Sequence, residues 1–270
     1  LVVTKPPARN AAGKSFLNPV HNWAVQNNCD IITPASKAEL EAAILSKKLE
    51  SKLGIVLDYG MIIPAKVIDA FPLGILNSHF SLLPKYRGAN PIRAAILGDD
   101  KTTGITIIKI TPGLDDGPIL TWALVDTKHM DAIELRNKLS EINSPLLCET
   151  VRLYVKGELD MVEQDEAEAT ITTKTVKDDG LISPGNSAVQ LERQVRAYAG
   201  WPKSTLEFDD KSYIVHKVKP TEFEANKGSL ESSGGKLYYG CKDGSIEILR
   251  IQPQGKVAMD ARAFINGYLK

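Results

Sequence analysis

Cysteine is scarce in this chain of 270 residues: Cys29, Cys148 and Cys241 lie far apart, with no C-x-x-C pair. An odd, scattered set excludes a disulfide framework and reads as buried, reduced thiols in a cytoplasmic protein. Neither sign of charge is in excess, since 33 Lys and Arg offset 33 Asp and Glu. That balance excludes a strongly basic nucleic-acid binder and a disordered tail. No apolar run approaches the ~20 residues that cross a bilayer, and no signal-peptide layout or initiator Met opens the chain. His21, His129 and His216 make no metal-ligand spacing with one another or with a cysteine, and neither GxGxxG nor GxxxxGK[ST] occurs. What remains, 43% hydrophobic and 24% charged, is the composition of a soluble globular protein. Its length suits two domains at roughly 100–200 residues each.

The first half alternates strand-like runs (Leu1–Thr4, Ile31–Ile32, Gly54–Leu57, Gly74–Asn77) with helix-like stretches (Pro19–Gln26, Ser36–Lys48, Ala65–Phe71, Asn90–Leu97). Such alternation predicts crossovers, hence an α/β fold with a mostly parallel sheet and helices on both faces. Two further runs, Gly104–Thr111 and Pro118–Val125, follow with no helix between them, so the sheet gains an antiparallel strand there. A long helix-like stretch, Asp131 to Lys156, closes the unit, and Gly157–Ala169 reads as a solvated acidic connector. Asp179-Gly180 and Pro184-Gly185 mark a junction over residues 170–186. Beyond it, a helix (Ser187–Ala199) precedes short strands at Ser204–Phe208, Tyr213–Lys219, Lys236–Cys241 and Ser245–Ile251, separated by turns such as Ser233-Gly234-Gly235. That texture predicts a small barrel or sandwich. The domains are therefore expected at 1–169 and 187–270, joined by 170–186.

Chemistry concentrates in Gly74–Pro91 and Thr111–Pro118. Asn77 and His79 stand two apart at the carboxyl end of a predicted strand, where open α/β sheets bind ligands, and they face the same way. A carboxamide N–H beside an imidazole N–H suits a carbonyl oxygen that becomes an oxyanion, although a lone histidine in an α/β protein is more often structural and the asparagine only evens the balance. Asp115, in Thr111-Pro112-Gly113-Leu114-Asp115-Asp116-Gly117, lies at the end of the next strand, read as the same edge of the sheet. It either orients the imidazole and assists proton transfer or caps backbone groups of a turn. With no Ser or Cys nucleophile beside them, these residues argue against a covalent hydrolase.

Asn77-x-His79, Ser81-Leu82-Leu83-Pro84, Arg87-Gly88-Ala89-x-Pro91-Ile92 and Gly113-Leu114-Asp115-x-Gly117, in this order, resemble the folate-dependent formyltransferase family. The resemblance implies a Rossmann-like formyl-transfer domain using 10-formyltetrahydrofolate and no metal, with Asn77, His79 and Asp115 catalytic. Folate would lie against Gly60, Met61, Ile62 and Ile63, against Ser81, Leu82, Leu83 and Pro84, and against Gly113 and Leu114. Arg196-Ala197-Tyr198-x-x-Trp201-Pro202 and Leu249-x-Ile251-Gln252-Pro253-x-Gly255-Lys256-x-x-Met259 resemble the OB-like β-barrel appended in the branch that formylates initiator methionyl-tRNA. The opening Thr4-Lys5-Pro6-Pro7 through Lys14 is similar to that branch's acceptor-stem loop. Lys5, Arg9, Lys14, Lys203, Lys217, Lys219 and Lys256 are the weaker tRNA candidates it implies.

The chain also departs from the family. Phe80 follows the histidine where a smaller residue is usual, the early loop has no arginine near Ala12, and an upstream strand and helix are expected that this sequence does not contain. A monomer is expected from the resemblance alone. The alternatives are a formyltransferase acting on an amino-sugar nucleotide, a formyl-folate hydrolase or dehydrogenase domain, and a non-catalytic RNA- or folate-binding module.

Overall fold

A computed structural model describes residues 1–9, 15–47 and 49–269. The chain opens with β1 (Val2–Val3), β2 (Ala8–Arg9), β3 (Ser15–Phe16), α1 (Pro19–Gln26), β4 (Ile31–Ile32) and α2 (Lys37–Leu45). Next come β5 (Gly54–Val56), α3 (Ala65–Asp69), β6 (Ile75–His79), β7 (Arg87–Gly88), α4 (Pro91–Leu97), β8 (Thr102–Lys109), β9 (Ile119–Asp126) and α5 (Ala132–Lys156). The last part holds β10 (Ile171–Thr172), α6 (Ala188–Ala197), β11 (Ser204–Phe208), β12 (Lys211–Thr221), β13 (Leu230–Ser233), β14 (Lys236–Cys241), β15 (Gly244–Pro253), β16 (Met259–Asp260) and α7 (Ala261–Tyr268).

The helix starts follow from side chains that satisfy orphan N–H groups. Asn18 Oδ1 accepts from the His21 N–H at 2.9 Å, with Pro19 at the first helical position. Asp131 Oδ1 accepts from the N–H groups of Ile133 and Glu134, and the Glu134 carboxylate reaches back to the Asp131 N–H at 3.0 Å. That reciprocal cap begins the 25-residue helix α5, which carries Pro145 inside it.

The chain divides into two compact units. One comprises Leu1–His79, Thr106–Trp122 and Leu146–Ala169; the other comprises Phe80–Ile105, Ala123–Pro145 and Thr170–Lys270. In the first, β1 pairs with β4 and β5 with β6, both in parallel, and β8 joins β6 antiparallel. Strand–helix alternation thus produces the parallel Rossmann-like pairs, and direction reverses at β8. Leu40 and Ile44 of α2 and Val67 and Ile68 of α3 pack with Ile75 of β6 in a buried cluster on this sheet.

In the second unit, an antiparallel sheet has the order β11-β12-β15-β14-β13, with β16 beside β15. Its core gathers Leu191 and Val195 of α6 with Leu206, Val215, Leu237, Ile246, Ile248 and Phe264. The expected turn at Gly234-Gly235 takes left-handed backbone, and so does Asp209-Asp210 between β11 and β12, as tight hairpins require.

Some expectations need correction. Of the cysteines only Cys241 is buried; Cys29 is half-buried, and Cys148 is exposed on the solvent side of α5. The acidic side chains of Gly157–Ala169 are exposed, yet the segment is not merely solvated, since Val162 bridges Ile119. Residues 170–186 include β10, which pairs in parallel with β7. Among the described residues, no helix is long and apolar enough to cross a membrane.

Candidate active site

β6 lies inside the four-stranded sheet, with β5 on one side and β8 on the other. Asn77 and His79 project from one face and Ser78 from the opposite one. The strand does not end near Asn77 as expected. Its ladder continues to His79, because Thr106 of β8 supplies a partner there. His79 is buried and Asn77 half-buried.

Asp115 joins the two. Asn77 Nδ2 donates to Asp115 Oδ1 at 3.2 Å, and His79 Nδ1 lies 3.5 Å from Asp115 Oδ2. Each carboxylate oxygen thus faces one of the two donors. The Asn77 amide keeps a second N–H, and the His79 contact at Nδ1 leaves Nε2 as the nitrogen on the far side of the ring. The amide N–H, and the Nε2–H that the ring carries only in its protonated form, match the demand of an oxyanion developing in front of them.

The approach of Asp115 differs from the sequence reading. The loop was expected at the same sheet edge as Asn77 and His79. Because β8 is antiparallel to β6, its end lies beside the start of that strand, where the Ile110 N–H donates to the Ile75 carbonyl. Residues 111–114 therefore have to carry Asp115 from that end of β6 to Asn77 and His79. Asp115 adopts left-handed backbone, φ +49°. Asp116 fastens the turn by accepting from the Thr111 hydroxyl. A Cβ at Gly117 would stand 1.8 Å from the Lys109 carbonyl oxygen, so the turn closes only with glycine there. Gln164, from the acidic connector, donates through Nε2 to the Asp115 and Gly117 carbonyls, both at 2.8 Å.

The expected folate-lining residues divide by exposure. Gly60 is left-handed at φ +69°, and the Lys5 ammonium lies over it, 2.6 Å from where a Cβ would be. Met61 and Ile63 pack against the α2–α3 core, while Ile62 is exposed. Gly113 and Leu114 are exposed on the Asp115 loop. In the other unit, Ser81 is fully buried and donates to the Lys85 carbonyl at 2.6 Å. Leu83 is buried, Leu82 and Pro84 are half-buried, and Phe80 is half-buried just after β6.

The expected tRNA contacts are divided between the two units, Lys5 and Arg9 in the first and Lys203, Lys217, Lys219 and Lys256 in the second. Lys217 on β12 stands opposite Arg250 on β15, both exposed, while Lys219 is paired with Glu247 at 3.2 Å. Lys203 sits at left-handed backbone after Pro202, and Lys256 is exposed in the turn after β15. Arg9 contributes backbone to the β2–β3 hairpin, and Lys14 lies outside the described residues. Among the described residues, no group of three or more His, Cys, Asp or Glu could hold a metal ion.

The sequence model described as "Formyl transferase" matches residues 1–151, and that of "Formyl transferase, C-terminal domain" matches residues 174–269. The chain belongs to the formyl transferase family. Within the family it is 36% identical to a protein of Koribacter versatilis named methionyl-tRNA formyltransferase, over 99% of this chain and 87% of that one. A protein of the same name from Thermodesulfovibrio yellowstonii is 34% identical, again over 99% and 87%. The crystal structure of an N-formyltransferase from Helicobacter canadensis, in complex with folinic acid and dTDP-3-aminofucose, shares the fold at TM-score 0.69 and 18% identity. It covers 93% of this chain and 88% of its own.

Gln164 is the site residue that sequence reasoning missed. Its partners are backbone carbonyls more than forty positions away, and such bonds leave no spacing to read.

Proposed function

We propose that this chain is an enzyme that transfers the formyl group of 10-formyltetrahydrofolate to the α-amine of initiator methionyl-tRNA, giving formylmethionyl-tRNA for translation initiation. The observation that carries the reading is the Asp115 carboxylate shared by Asn77 and His79, in a formyl transferase whose full-span relatives are named methionyl-tRNA formyltransferase. The amino-sugar alternative has only fold likeness behind it, at 18% identity.

The neutral amine attacks the formyl carbon, a C–N bond forms, and the formyl oxygen takes the electron pair. Asn77 Nδ2 and, in the protonated ring, His79 Nε2 donate to that oxygen, a role in which losing one donor costs ~2.7–4 kcal/mol of barrier. Asp115 keeps both donors aimed. On collapse the bond to the folate nitrogen breaks, and the amine proton is passed to that nitrogen with help from His79. No redox change occurs, and the leaving nitrogen needs no metal.

Folate is held by the Gly60–Ile63, Ser81–Pro84 and Gly113–Leu114 segments, whose backbone groups and apolar side chains suit a flat heterocycle. The tRNA is met mainly through phosphate contacts, for which Lys217 stands opposite Arg250 on the neighbouring strand. The functional domains are 1–169 and 187–270 joined by 170–186; the two family matches, 1–151 and 174–269, part in the same region of the sequence. The protein works as a cytoplasmic monomer.

The test is formyl transfer to charged initiator methionyl-tRNA by the protein and by His79→Ala. Transfer by the parent with a loss of about a hundredfold or more in the variant supports the reading. Transfer to an amino-sugar nucleotide but not to the charged tRNA would overturn it.

A further inference from the structure

The Asp115 turn is held from outside itself. Gln164 reaches it from the connector that follows α5, and its side-chain amide donates to two carbonyls of the turn, Asp115 and Gly117, each at 2.8 Å. Two carbonyl acceptors converge on one nitrogen, and the Gln164 carboxamide supplies two N–H groups there without bringing a charge. The connector is itself pinned two residues earlier, where Val162 and Ile119 exchange N–H···O bonds of 2.9 and 2.8 Å. Gln164 thus projects from a fixed point onto a residue whose left-handed backbone, φ +49°, is disfavoured without support.

We propose that Gln164 is a positioning residue: through the backbone of the turn it holds Asp115 where one carboxylate can face both Asn77 and His79. The proposal rests on the catalytic reading of Asp115 given above. Gln164 touches neither substrate nor reacting atoms. Its removal lets the turn relax and shifts the carboxylate, so the loss falls on turnover and not on ground-state binding.

The experiment measures kcat and the two KM values, for formyl-folate and for charged tRNA, in Gln164→Ala, Gln164→Glu, Asp115→Asn and the Gln164→Ala/Asp115→Asn double variant, with thermal unfolding of each. Gln164→Ala is expected to lower kcat about tenfold or more while both KM values stay within about twofold. Gln164→Glu, which turns acceptor oxygens toward two carbonyls, should lose more. In the Asp115→Asn background the Gln164→Ala change should have little further effect on kcat, because the group it positions is already disabled.

A purely structural role would instead lower the unfolding temperature and multiply with Asp115→Asn, and that result would overturn the proposal. So would wild-type kcat in Gln164→Ala when Asp115→Asn is impaired. Full activity in Asp115→Asn is a separate failure, since it removes the catalytic reading itself and the positioning role with it.

Discussion

Asp115 and Asp116 are adjacent and identical in kind, yet the fold employs them differently. Asp115 turns toward Asn77 and His79, while Asp116 turns back to the Thr111 hydroxyl and closes its own loop. Asp115→Asn should therefore lower kcat by about a hundredfold with stability kept, and Asp116→Ala should cost about 1 kcal/mol of stability. Steady-state kinetics and urea unfolding of the two variants separate these effects, and a swap of the two outcomes would reverse the assignment. Asn77 and His79 were legible because strand geometry puts alternate residues on one face. The choice of Asp115 over Asp116 came from the resemblance alone, since a turn has the same composition whichever carboxylate points inward.

At the level of elements, the legible parts are those with local signals. α5 was found within a residue of its start because Asp131 caps it and Glu134 answers. Removing that cap with Asp131→Ala should cost ~1 kcal/mol. Calorimetry should find a drop of about 2–4 °C, and an unchanged midpoint would show that the cap contributes nothing. The pair β7–β10 was missed because each strand has two residues and its partner lies far along the chain. α7 was also missed, although Asp260 accepts from the Ala263 N–H at 2.8 Å as an ordinary N-cap does. Its register is set by Phe264, fully buried and edge-on to Tyr213 at 5.3 Å, which is a tertiary cause and not a propensity. The reversal at β8 was half-legible: two strands without a helix between them implied an antiparallel neighbour, but not which strand it would meet.

Whole-molecule behaviour should depend on pH and salt. Burial, and then the bond to Asp100, push the Tyr86 hydroxyl from 10.0 up to about 12. The folded state then holds this proton more tightly than the unfolded one, so the stabilisation is complete below pH 10 and is lost as pH rises toward 12. Tyr86→Phe should lose less stability than the parent across that alkaline window in urea unfolding, and superimposable curves would sink the argument. Salt acts on association. The logarithm of kcat/KM for charged tRNA should fall linearly with the logarithm of salt concentration, and Lys217→Ala should reduce the slope by about one. An unaltered slope would exclude a phosphate contact at that lysine.

Neither compact unit is a continuous run of chain, because α5 and the strands before it are divided between them. During synthesis the last piece of the first unit is in hand once Ala169 has emerged. Residues 80–105 and 123–145 must wait for Thr170–Lys270 before their own unit can close. For that interval the ribosome holds a chain whose formyl-transfer loop is already assembled while α4 still has no α6 to pack on. The timing of translation, and the chaperones that shelter an unfinished surface, therefore bear on this protein more than on one whose compact units are each a continuous run of chain.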